Sequence, residues 1–205
     1  RQIDTFDRSG ERVAAVHSNM FLVDESGRRT GARYHEGKGI EGDIFAQLIR
    51  KNSIAAPTVL LRWSVRRALG EFDESFWSED LDTWLAVARG REFAYGDEPL
   101  VNYRVHASSM TSVAGLERVR EEVVRCLIKH ASDRPDLESL VWRRIEDLIV
   151  VMYTAGRSPR STRRDLVISL RRHPSLRGVA YLAASACGVS GLLVGRSVLF
   201  ASNGP

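Results

Sequence analysis

The chain has 205 residues, room for one ordinary domain or one small domain with an appendage, and enough to bury a core without disulfide or metal staples. With 43% hydrophobic and 27% charged residues it lies near the globular average, which excludes wholesale disorder and collagen-like repeats. The net charge of +4 is unevenly spread: residues 1–112 hold 15 Lys+Arg against 17 Asp+Glu, and residues 113–205 hold 15 against 9.

The chain opens on the charged stretch Arg1 to Arg12, which does not read as a signal peptide. Because it begins with Arg and not Met, a fragment of a longer chain is expected. Val13 to Val23 is a continuous apolar run and predicts a buried strand, closed by the turn Asp24-Glu-Ser-Gly27. Residues 28–39 are polar and Gly-rich and predict a loop. Ile44, Phe45, Leu48 and Ile49 recur at helical spacing within 40–52. Pro57 to Arg62 predicts a short strand, and Trp63 to Leu69 a helical turn stopped by Gly70. Leu81, Trp84, Leu85, Val87 and Ala88 mark a further amphipathic helix. Phe93 to Tyr95 and Leu100 to Tyr103 predict two short strands around a turn at Pro99. The first 112 residues therefore read as mixed α/β.

From residue 113 the pattern is helical: 116–131, 136–153 and 161–172, divided by Pro135, Pro159 and Pro174. Cys126 and Cys187 lie far apart and form no CxxC, so neither a zinc cluster nor a disulfide scaffold is supported, and a reducing compartment is expected. Seven arginines and a single acid, Asp165, fall between Arg157 and Arg177. They have no interleaved aromatics, so nucleic acid is not an expected partner. The stretch 178–195 carries no charge and is weakly apolar, near the lower length limit for spanning a bilayer. A spanning helix, a surface-lying helix and packing against the body all remain open for it. Basic residues followed by this stretch suggest an anionic membrane surface as partner of 157–205.

The densest polar cluster is Phe72 to Trp84, where Glu79, Asp80 and Asp82 fall at a predicted helix start. Acids there complement the free N–H groups and the helix dipole, with Ser78 as N-cap. The alternative is a general base at the rim of a cleft beside Trp77. Arg104 and His106 fall on one side of an extended segment, with Val105 turned away. His17, His35, His130 and His173 read as structural or solvated.

Four segments in order resemble the C-terminal half of the inverting family 2 glycosyltransferases, which have the GT-A fold. Val13 to Gly27 resembles the strand and hairpin after that family's metal-binding motif. Asn52 to Arg62 resembles its next loop and strand. Leu69 to Glu74 with Ser78 to Leu85 resembles its "GGFDE … EDWDLWLR" region, with Glu71 and Ala86 departing from it. Pro99 to Thr111 resembles its "PLVYYRxHxxSxS" segment. The resemblance implies an α/β fold, a partial GT-A domain at 1–112 lacking its nucleotide-binding half, followed by a basic α-helical region at 113–205. It implies sugar transfer from a nucleotide-sugar to a saccharide or lipid-linked acceptor, with inversion. Asp80 would be the base, Trp77, Glu79, Asp82 and Arg104 would bind substrate, and His106 would meet metal or diphosphate. Mg²⁺ or Mn²⁺ would neutralise the leaving group, its main ligands lying in the Asp-x-Asp half that this chain lacks. The family's commonest setting is bacterial cell-envelope polysaccharide synthesis, in the cytoplasm or at the inner face of the cell membrane.

A second reading is a non-catalytic transferase remnant docking on a membrane or partner through its basic tail. A metal-dependent hydrolase on Glu79, Asp80 and Asp82 is a weaker third, because those acids lack His-rich ligand spacing.

Overall fold

The computed structural model describes residues 1–34, 37–76, 79–108 and 110–187. The chain divides into two compact units, Arg1–Glu122 and Val123–Pro205. The division falls inside helix α5 (Met110–Lys129), whose geometry breaks at Gly115, whereas the change in sequence character comes at residue 112.

The first unit is built on β1 (Val13–Val23), buried without interruption from Val13 to Met20. A strand covered on both faces reads as an unbroken apolar run, as this one does. Along one edge of β1 lies β4 (Glu92–Arg104), parallel over the full length. Along the other edge, β3 (Val59–Leu61) pairs antiparallel with Ala15 to His17, and β2 (Arg29–Arg33) antiparallel with Phe21 and Val23. The result is an open, mixed four-stranded sheet in an α/β unit.

Helix α1 (Gln2–Arg8) contacts β1 and β4, while α2 (Phe45–Arg50) and α3 (Trp63–Leu69) both contact α4 (Glu79–Ala88). α4 meets the sheet through Trp84, edge-on to Phe93 of β4 with ring centroids 6.4 Å apart. Phe45, Leu48, Ile49 and Leu85 are fully buried, each contributing about 1.5–3 kcal/mol by leaving water. α3 stops where Gly70 takes a φ of +75°, open to glycine at little cost.

Two sequence expectations change here. Residues 28–39 are not all loop, because 29–33 form β2. Its polar sequence hides an edge strand held by the backbone of β1, with Arg29 stacked 3.7 Å over the Phe21 ring. The two short strands around Pro99 are one strand, β4. Ser18 pairs with Gly96 and Asn19 with Pro99, so Asp97 and Glu98 bulge out of register. The bulge admits a proline that a regular ladder would exclude.

In the second unit, Pro135 opens a 3₁₀ turn, and the helix expected from Asp136 begins at Glu138 as α6 (Glu138–Thr154). α6 packs on α7 (Pro159–Arg172), and α7 on α8 (Leu176–Ala184). Ser158 caps α7 by accepting from the Ser161 N–H, with Pro159 in the first turn. Ser175 caps α8 by accepting from the Gly178 N–H, and its own hydroxyl donates a hydrogen bond to Glu146 at 2.7 Å. Glu146 is 1% exposed. Arg177 pairs with Asp147 and donates to the buried Tyr181 hydroxyl at 2.9 Å.

One face of the described part of the uncharged stretch 178–195 therefore packs against its own unit. Gly178 and Tyr181 are buried, and α8 ends at Ala184. Residues 188–195 lie outside the described residues. Among the described residues, no helix is long and apolar enough to cross a membrane.

Candidate functional site

Asp80 is the second residue of α4, and its carboxylate is held at both oxygens. Oδ1 accepts from the Leu81 N–H at 2.7 Å, and Oδ2 accepts from the Asn52 side-chain amide at 3.0 Å. The Asn52 amide is itself oriented, because its Oδ1 accepts from the Ile54 N–H at 3.3 Å. The helix dipole at the start of α4 adds to the stabilisation of charge there.

The carboxylate opens onto a cleft of about 540 Å³. Met20 and Leu22 of β1 with Ile54 supply apolar lining, Tyr34 and Tyr103 supply aromatic lining, and Glu79 stands beside Asp80. Partial burial, then the Asp80 carboxylate and the neighbouring Tyr103 phenol, push the Tyr34 phenol above its ordinary value. Tyr34 therefore keeps its proton and faces the cleft as a hydrogen-bond donor. The arrangement is a fixed carboxylate over an amphipathic hollow, suited to accepting a proton from a bound hydroxyl.

The site residues expected from sequence are dispersed. Asp80 and Glu79 line the cleft. Asp82 does not: two residues along a helix turns the side chain roughly 200° around the axis, and Asp82 is buried, 8% exposed. Its expected contact with acceptor hydroxyls has no support in that position. Trp77 and Ser78 lie outside the described residues. Arg104 follows Tyr103 at the end of β4 and faces the other way. Its guanidinium donates to the carbonyls of Asp24, at 3.3 Å, and Glu25, clasping the turn between β1 and β2. That turn is already closed by Asp24, whose carboxyl the Ser26 hydroxyl and the Arg28 N–H hold below its usual range. His106 hydrogen-bonds Ser108 through Nδ1 at 2.9 Å and is not among the residues lining the cleft.

Sequence assigns no role to three polar lining residues, Tyr34, Asn52 and Tyr103. Asn52 and Tyr103 stand inside the segments that carry the family resemblance, so those motifs held a signal for them. Tyr34 sits in what reads as polar loop, and nothing local marks it.

The described residues do not fit a Mg²⁺ or Mn²⁺ site at this cleft. Within the first unit alone the described acids and imidazoles form no cluster of three ligand atoms. Comparison with protein-family models, with curated proteins and with solved structures finds no match to this chain.

Proposed function

We propose that the first unit is the acceptor side of an inverting glycosyltransferase of GT-A type, with Asp80 as general base. One observation carries the reading. The four segments that resemble the family, far apart in sequence, each place residues on the same cleft: Met20 and Leu22, Asn52 and Ile54, Glu79 and Asp80, Tyr103 and Val105.

In this reading an acceptor hydroxyl lies within hydrogen-bond reach of Asp80. The carboxylate takes its proton as the oxygen attacks the anomeric carbon of a nucleotide-sugar. The new C–O bond forms as the bond to the diphosphate breaks on the opposite face, which inverts the centre. Tyr34 donates to a second acceptor hydroxyl, Tyr103 offers a ring face, and Glu79 accepts at the rim. Asn52 keeps the carboxylate aimed into the cleft. His106 is assigned to the donor diphosphate, and Arg104 holds the turn between β1 and β2.

The test uses the protein encoded by the whole reading frame. It should release nucleoside diphosphate from one of a panel of nucleotide-sugars when Mn²⁺ and a saccharide acceptor are present. Asp80→Asn should cut that release by at least about 10²-fold, the low end for loss of a general base. Undiminished release by Asp80→Asn would remove Asp80 as the base, and no release by the native protein with any donor would leave the non-catalytic docking module as the reading.

A further inference from the structure

We propose that the corner formed by α7 and α8 is a docking surface for an anionic lipid bilayer. The inference is independent of sugar transfer and stands on two features of the second unit.

The first is uncompensated charge. Thr162, Leu166 and Ser169 bury one face of α7. Arg160, Arg164 and Arg171 fall within roughly 40° of one another on the opposite face, and all are exposed, as is Arg172. The one acid of α7, Asp165, is already shared by Arg157 at 2.8 Å and Arg164 at 3.1 Å. Arg160, Arg171 and Arg172 make no ion pair among the described residues.

The second is an outward apolar face on α8. Gly178 and Tyr181 are its buried side. Leu176 is 92% exposed and Val179 54% exposed, and Ala183 continues the same face at the next turn. A helix on a protein surface ordinarily turns charge outward there. Ile168, near the end of α7, is also exposed.

Only His173, Pro174 and Ser175 separate Arg172 from Leu176, so the cationic and apolar features lie within roughly 14 Å along the chain. Apolar side chains beside unpaired cations match the boundary between anionic headgroups and acyl chains. A nucleic acid would engage the arginines and leave Leu176 and Val179 in water, and α7 and α8 expose no aromatic ring for a base.

The experiment is flotation of the whole protein with phosphatidylcholine vesicles, with and without phosphatidylglycerol, at low and high salt. Binding should require phosphatidylglycerol and weaken with salt. Arg171→Ala combined with Arg172→Ala should weaken it about 25-fold, from about fivefold for each arginine. Leu176→Glu should weaken it by at least about tenfold, the loss of one inserted leucine. As a check that does not depend on that variant's folding, Leu176→Trp should add a blue-shifted emission only on phosphatidylglycerol vesicles. Equal binding to neutral vesicles, unchanged binding by a folded Leu176→Glu variant, or retention on duplex DNA in place of vesicles would each overturn the proposal.

Discussion

The side-chain amide of Asn52 reaches 3.0 Å to Asp80, tying the loop before β3 to the first turn of α4. Rotating that amide would lose two bonds together, because its oxygen accepts from the Ile54 N–H. The relationship defines the aim of the carboxylate before any substrate arrives.

A double-mutant cycle measures it. Asn52→Ala and Asp80→Ala should couple by about 1 kcal/mol in urea unfolding, the scale of a partly exposed hydrogen bond to a charged group. Free energies that simply add would mean that the bond contributes nothing to the fold.

Tyr34 is expected to act on the acceptor. Its phenol stays protonated, so Tyr34→Phe removes a donor while keeping the ring. The acceptor KM should rise about fivefold, on the order of 1 kcal/mol for one hydrogen bond, with donor affinity unchanged. Steady-state kinetics with each substrate varied in turn check this. A change confined to the donor would place Tyr34 on the wrong substrate.

Glu146 should make the helical unit sensitive to pH. Burial raises its carboxyl above the ordinary 4.5, against the opposing pull of the Ser175 hydroxyl, Arg177 and His173, and with Asp147 adding to the rise. The folded state therefore holds this proton to higher pH than the unfolded chain does. Its stabilising contribution is complete below the ordinary value and is lost as pH rises through the raised one. Glu146→Gln keeps an acceptor for Ser175 and should flatten that part of the profile, with a higher Tm at neutral pH than the native protein. Melting curves from acid to neutrality would show it, and parallel profiles would contradict it.

Gly178 has no room for a methyl group. A Cβ there would stand 2.6 Å from Glu146 Oε1 and 2.8 Å from Leu170 Cδ2. Gly178→Ala should therefore destabilise by about 1–3 kcal/mol through overpacking, although alanine favours helix by about 1 kcal/mol. Val179→Ala, on the exposed side of the same helix, should change stability by less than about 0.5 kcal/mol. Equal effects of the two changes in chemical denaturation would mean that Gly178 is not on the packed face.

Local pattern alone determined β1, the stop of α3 at Gly70, the apolar face of α4 and the breaks at Pro135, Pro159 and Pro174. Each of these depends on periodicity or on the φ demands of one residue, which are properties of a short stretch of chain. The proposal of Asp80 as a base also came from sequence, through the order of its neighbouring segments. The tertiary structure decided what depends on a distant partner. β2 exists because β1 offers it backbone groups, and its own side chains say little. β4 is continuous because two residues can bulge opposite the Ser18–Asn19 step of β1. Tyr34 reaches the Asp80 cleft because β2 ends beside it, and Arg104 clasps a turn nearly eighty residues earlier in the chain. Gly178 and Tyr181 lie in an uncharged stretch whose sequence left a spanning helix, a surface-lying helix and packing against the body all open, and they are buried among Glu146, Asp147 and Arg177. Composition cannot separate an apolar surface meant for lipid from one meant for a neighbouring helix, because both remove the same side chains from water.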